Sequence, residues 1–308
     1  MVEITSELIR AIREKTGAGM MDCKKALVES EGNFEEAVDW LRKKGLASAA
    51  NKAGRTASDG AICVVSPNDG LAVVVEINSE TDFVAKNAKF QAFARGVGGL
   101  AARSADTSLD AFLEQKMPEY EESGNPTAAN QTVREATANL VASIGENITI
   151  RRLAHCGASN GVVATYIHGT IAPQLGKIGV LVELESSGPH DKLLEFGKKL
   201  AMHIAAANPL FTKIEDVPET VLAREREILK EQVKDQGKPQ TVVDMMVDGR
   251  IRKFFEETVL LEQVYVIDGK KKVSESVAAF SKEIGAPVSV KRFVKFVLGE
   301  TTSAVQSA

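Results

Sequence analysis

The sequence is short of most things that would announce a chemistry. Only three of its 308 residues are cysteine. Cys23, Cys63 and Cys156 are odd in number, far apart and without a C-x-x-C pair, which fits a reducing compartment and excludes a disulfide framework. No uninterrupted apolar run approaches the ~20 residues of a membrane span. The start, Met1-Val2-Glu3-Ile4-Thr5-Ser6-Glu7, lacks a basic stretch followed by an apolar core, so no signal peptide is expected and a cytoplasmic protein is. A basic excess is missing too: 38 Lys and Arg stand against 42 Asp and Glu, a net charge of −4. General nucleic-acid binders draw their affinity from clustered cations, so direct nucleic-acid binding is not expected.

Catalytic motifs are also absent. Gly176-Lys177 is followed by Ile178 rather than Ser or Thr, and it enters a strand, so it is no phosphate loop. Thr16-Gly17-Ala18-Gly19 has no strand before it. The four histidines, His155, His168, His190 and His203, show no H-E-x-x-H spacing, and His155 beside Cys156 falls short of a zinc site. No G-x-S-x-G occurs, and no carboxylate stands out as a general acid or base. A protein without its own chemical catalysis and without a cofactor is the expectation.

What is present is ordinary globular material, 44% hydrophobic and 26% charged, in a chain long enough for two or three units. Residues 4–45 read as three short helices. Leu8, Ile9 and Ile12 form one apolar stripe, and Phe34, Ala37, Val38 and Leu41 another. Asn33 suits the N-cap of the third helix and Gly45 its end, leaving 46–55 as a linker.

An internal repeat follows. Ala72-Val73-Val74-Val75-Glu76-Ile77 matches Gly179-Val180-Leu181-Val182-Glu183-Leu184 at a constant offset of 107, which also pairs Phe93 with Leu200, Ala94 with Ala201 and Val97 with Ile204. Each copy reads as a β-hairpin followed by an amphipathic helix. The segments 148–150 and 288–298 are candidates for the strand that closes each half. Leu222, Leu229 and Val233, then Val243, Val247, Ile251 and Phe254, mark two further helices around the turn Gly237-Lys238-Pro239. Their narrow seams fit a projecting antiparallel coiled-coil hairpin, or two ordinary surface helices.

The expected class is therefore α+β. Its parts are a three-helix module with linker at 1–55, a duplicated antiparallel core at 56–155 and at 156–217 with 258–299, an inserted hairpin at 218–257, and a flexible tail at 300–308.

Three stretches go further. Thr16-Gly17-Ala18-Gly19-Met20-Met21-Asp22-Cys23-Lys24-Lys25-Ala26-Leu27 resembles the N-terminal signature of the translation elongation factor Ts family. Glu80-Thr81-Asp82-Phe83-Val84-Ala85-Lys86-Asn87 is similar to that family's second signature, and Ile144-Gly145-Glu146-Asn147-Ile148-Thr149-Ile150-Arg151-Arg152 to a third. The layout agrees from residue 1 to about 299. The resemblance implies a guanine-nucleotide exchange factor for the GTPase elongation factor Tu, with no membrane partner and with self-association left open.

It also implies roles for residues. Thr81, Asp82, Phe83 and Val84 would be the element that dislodges Mg²⁺ from the GTPase. Met20, Met21, Lys24, Ile144, Gly145, His168, Val266 and Ile267 would contact it. The loop Thr170-Ile171-Ala172-Pro173-Gln174-Leu175 is longer than the family's usual connection after His168. Plain structural alternatives stand beside each role. Thr81 or Asp82 caps a helix with Phe83 packed inward as its staple; one of the two methionines fills the small core; Gly145 is a C-cap; His168 is a solvated loop residue; Val266 and Ile267 lie in a strand or turn. A module of three short helices also resembles ubiquitin-associated-like modules, so an adaptor that binds without exchanging nucleotide remains a rival reading.

Overall fold

The computed structural model describes residues 4–104, 108–118, 121–122, 125–126, 131–234 and 240–300. Helices are α1 Ser6–Thr16, α2 Met20–Glu29, α3 Phe34–Lys52, α4 Asp82–Ala85, α5 Ala88–Ala101, α6 Leu109–Leu113, α7 Val133–Ile144, α8 His190–Ala207, α9 Glu219–Lys234, α10 Gln240–Thr258 and α11 Val273–Ile284. Strands are β1 Asp59–Asn68, β2 Leu71–Ser79, β3 Glu121–Glu122, β4 Asn125–Pro126, β5 Ile148–Gly157, β6 Gly161–His168, β7 Leu175–Gly176, β8 Ile178–Glu185 and β9 Ser289–Val297. The fold is α+β, with β1 antiparallel to both of its neighbours, β2 and β7.

The described residues fall into two units: the first takes those up to His155, with Ile167–Gly179 and Phe296 to Glu300; the second takes Cys156–Tyr166 and Val180–Lys295. In the first, the sheet order is β5-β2-β1-β7. Helix α5 packs on β1 and β2, with Phe90, Phe93, Ala94 and Val97 fully buried against Ala61, Cys63, Val73 and Val75. In the second, the order is β6-β8-β9, and Leu200, Ala201 and Ile204 of α8 are as buried as their counterparts in α5. The repeat read at offset 107 is thus a repeat of core positions. A glycine opens each hairpin with a positive φ, Gly60 at 118° and Gly161 at 146°. A Cβ on either would lie 2.2 or 2.0 Å from the carbonyl oxygen of Ile77 or Leu184. Those two carbonyls are themselves 107 residues apart.

The N-terminal helices enclose Ile12, Cys23, Ala26, Leu27, Ala37 and Leu41. Asn33 caps α3 as expected, accepting from the N–H groups of Glu35 and Glu36. Gly45 does not end it. The helix continues to Lys52 through Leu46-Ala47-Ser48-Ala49-Ala50, strong helix formers as a set. Packing on α7 favours that continuation: Arg42 pairs with Glu135, Ala49 lies on the core of this unit, and Gly45 is buried facing Asn139. A glycine inside a helix costs about 1 kcal/mol relative to alanine, and here it admits the Asn139 side chain.

In the second unit α9 and α10 pack together, with Val247 and Ile251 buried and Val243 beside them. Leu222 and Phe254 join Phe211, Val217 and Val259 at the base. The side chains of Leu229 and Val233, the turn 237–239 and the tail 301–308 lie outside the described residues.

Candidate functional site

Strand β2 is buried from Ala72 to Ser79, and the chain then turns sharply through Glu80 and Thr81 into the single-turn helix α4. Consecutive residues of a helix diverge by 100°, so one turn cannot bury them all. Val84 and Ala85 point into the core at 5% and 3% exposure, and Phe83 is left outside with 78% of its surface free. Leaving a Phe out of a core forgoes about 1.5–3 kcal/mol of burial. The inward staple is therefore not what forms.

The corner is held from several sides. Glu146 accepts the Thr81 backbone N–H at 3.0 Å and the Thr81 hydroxyl at 2.8 Å. Thr81 gives its own helix no side-chain cap. Asp82 pairs with Lys86 at 2.8 Å, and the Lys86 ammonium lies 5.8 Å from the Phe83 ring centroid. That Lys86 bond, together with the charges of Lys86 and Lys177, holds the Asp82 carboxyl below the usual carboxylate range.

His168 is the exposed last residue of β6, and its carbonyl accepts the Lys177 N–H at 2.9 Å. The long connection after it is tied down. Leu175 and Gly176 form β7 against Cys63 and Ile62 of β1, and Leu175 is fully buried. Lys177, whose N–H holds the His168 carbonyl, is also one of the charges that lower the Asp82 carboxyl.

Ile144 is half-buried against the core. Gly145 is the left-handed C-cap of α7, with φ 94° and its N–H on the Val141 carbonyl. The Gly145-Glu146-Asn147 turn abuts Thr81 through the Glu146 bonds. Met20 and Met21 are 60% and 76% exposed, and Lys24 is exposed beside them. Neither methionine fills the core, because the inner face of α2 is already taken by Cys23, Ala26 and Leu27.

Val266 and Ile267 belong to the second unit, in an exposed turn with Val264. The N–H groups of Asp268 and Gly269 donate to the Tyr265 carbonyl, and the turn reading stands. Behind it the buried His203 accepts the Val266 N–H on Nδ1 at 3.2 Å. Its Nε2–H therefore donates to Gln263 Oε1 at 3.0 Å.

Glu146, Lys177 and His203 were not singled out by sequence reasoning. Glu146 sat inside a quoted motif, but nothing local shows that it reaches a residue 65 positions away. Among the described residues no three His, Cys, Asp or Glu form a metal-binding group, and no helix is long and apolar enough to cross a membrane.

Comparison with known proteins adds to this geometry. Residues 80–300 match the family model described as Elongation factor TS. The chain is 50% identical over 301 residues to the elongation factor Ts of Rhodospirillum centenum, covering 97% of this chain and 94% of that protein. It is 49% identical to that of Paramagnetospirillum magneticum, over 97% and 93%. With that of Bartonella henselae the identity is 47%, over 99% and 96%.

Proposed function

Since this chain belongs to the elongation factor Ts family, we propose that it is the guanine-nucleotide exchange factor of elongation factor Tu, acting in the cytoplasm during translation elongation. Such a factor binds the nucleotide-free GTPase more tightly than the GDP form. By linkage it weakens GDP by the same factor, each tenfold being about 1.4 kcal/mol. The task calls for anchoring surface and a wedge, and for no acid, base, metal or cofactor of its own.

The observation that carries this reading is the Phe83 ring, exposed at a corner whose next two residues are buried. Met20, Met21 and Lys24 are the anchoring patch on α2, and methionines suit a deformable contact. Ile144, Gly145 and His168 contact the GTPase around the corner, while Val266 and Ile267 supply a separate apolar contact. The element Thr81–Val84 disturbs the partner's Mg²⁺ and phosphate pocket through the exposed Asp82 and Phe83, with the buried Val84 anchoring it. The three N-terminal helices act as a ubiquitin-associated-like docking module, and α9 with α10 as a coiled-coil arm.

Release of a fluorescent GDP from elongation factor Tu tests the reading. The intact chain is expected to accelerate release, and Phe83→Ala to bind the GTPase while accelerating it at least tenfold less. Binding without acceleration by the parent chain would leave an adaptor instead.

A further inference from the structure

Glu146 lies at the centre of the third sequence motif, and the functional reading above gives it no task. We propose that Glu146 is the positioning residue of the Phe83 corner: its carboxylate fixes Thr81, and through Thr81 the direction in which the Phe83 ring leaves the fold. The inference rests on the reading of Phe83 as the wedge.

The geometry is a reciprocal exchange between two turns. Glu146 Oε2 takes the Thr81 backbone N–H at 3.0 Å and Oε1 takes the Thr81 hydroxyl at 2.8 Å. In return Glu80 Oε1 takes the Asn147 backbone N–H at 2.6 Å. Asn147 Nδ2 then donates to the Arg55 carbonyl at 2.8 Å, and Arg55 reaches Glu80 at 3.5 Å. Each carboxylate thus serves the backbone of the other turn. Hydrogen bonds to an ionised acceptor are roughly twice as strong as neutral ones, and two on one residue fix both its backbone and its side chain.

Why the corner needs an outside hold follows from its size. Helix α4 has four residues, far below the length at which a helix sustains itself in water. Its inner face is fixed by Val84 and Ala85. Its entry is fixed at Thr81, whose extended backbone (φ −131°, ψ 157°) starts the turn. Remove the Glu146 grip and the α2 patch is untouched, but the ring must be ordered on the partner at the moment of binding. Functional groups lose effect when their supporting shell leaves them about 1 Å loose.

The test is GDP release measured against factor concentration, which separates the maximal rate from the half-saturating concentration. Glu146→Ala is expected to lower the maximal rate on the order of tenfold, the scale of losing hydrogen bonds to a charged group. Half-saturation should move less than about twofold, because the contacts on α2 are unchanged. Glu146→Gln, whose amide can still accept from the N–H and donate to the hydroxyl oxygen, should restore most of the rate. Glu146→Asp keeps the charge but shortens the reach by one methylene and should behave like the alanine variant.

With Phe83→Ala present, Glu146→Ala should slow release no further, since there is no ring left to place. Additive slowing, or a loss confined to half-saturation, overturns the proposal. So does a slow Phe83→Ala beside a fast Glu146→Ala. If Phe83→Ala itself releases GDP at the parent rate, the wedge reading falls and this proposal falls with it.

Discussion

Glu76 and Arg152 form a buried ion pair, Nε to Oε2 at 2.6 Å, at the point where strands β2 and β5 lie side by side. The repeat reproduces it: Glu183, 107 residues later, holds Arg292 of β9 at 2.8 Å. The copies differ in what surrounds the arginine. Arg152 is 14% exposed and stacks on Phe296 at 4.1 Å from the ring centroid, whereas Arg292 is 53% exposed. Glu76 also accepts from the Gly299 N–H and from Asn78, so it fastens the chain just past β9 within the first unit.

That contrast sets unequal costs. Glu76→Ala takes the nearest carboxylate from Arg152 in a nearly dry site, leaving it the Val297 carbonyl at 3.2 Å and Glu300 at 4.0 Å, and is expected to destabilise by about 3 kcal/mol. Glu183→Ala removes a carboxylate from an arginine that is already half in water and should cost about 1 kcal/mol or less. Urea melts of the two variants check the ranking, and equal midpoints would refute it.

The corner should separate stability from function. Phe83→Ala removes an exposed ring and is expected to shift stability by no more than about 0.5 kcal/mol. Val84→Ala, one residue on, empties a buried site and should cost about 1–2 kcal/mol. Thermal melts of both variants decide the point.

Gly60→Ala should be among the most damaging single-methyl additions in the first unit. The new Cβ would sit 2.2 Å from the Ile77 carbonyl oxygen at a φ of 118°. Relief requires prising β1 from β2, at an expected cost above about 2 kcal/mol. Gly161→Ala is expected to match it in the second unit. A denaturant midpoint close to that of the parent in either variant would contradict the clash.

Acid should weaken the second unit through His203. Burial, opposed by the Gln263 bond, holds this imidazole below the ordinary histidine range of about 6.5. Above that range the ring is neutral in both folded and unfolded chains, and its contribution is fully present. As pH falls below it, the unfolded chain takes up a proton first, so stability is lost down to the folded-state value. A proton on Nδ1 would also displace the Val266 N–H. Urea melts between pH 5 and 8 should show this slope in the parent and a shallower one in His203→Gln.

Periodicity and repetition in the chain determined a good deal on their own. The i, i+3, i+4 stripes, the Asn33 cap and the 107-residue offset are set by residues near one another in sequence, and they place the helices, the hairpins and the duplicated core. The twelve-residue run from Thr16 to Leu27 and the run from Glu80 to Asn87 pointed to the family for the same reason. Local signals failed where packing outweighed them. Gly45 looked like a helix end because glycine is a poor helix former, yet α3 runs past it because Asn139, nearly a hundred residues on, fills the space a side chain would need.

Which way Phe83 faces was likewise open in the sequence, since an aromatic after a cap serves equally as staple or as wedge. The choice was made by Val84 and Ala85 claiming the core and by Glu146 gripping Thr81 from 65 residues away. Hydrophobic pattern and capping are written into neighbouring residues. The direction of a single exposed ring depends on contacts that exist only after distant segments have met.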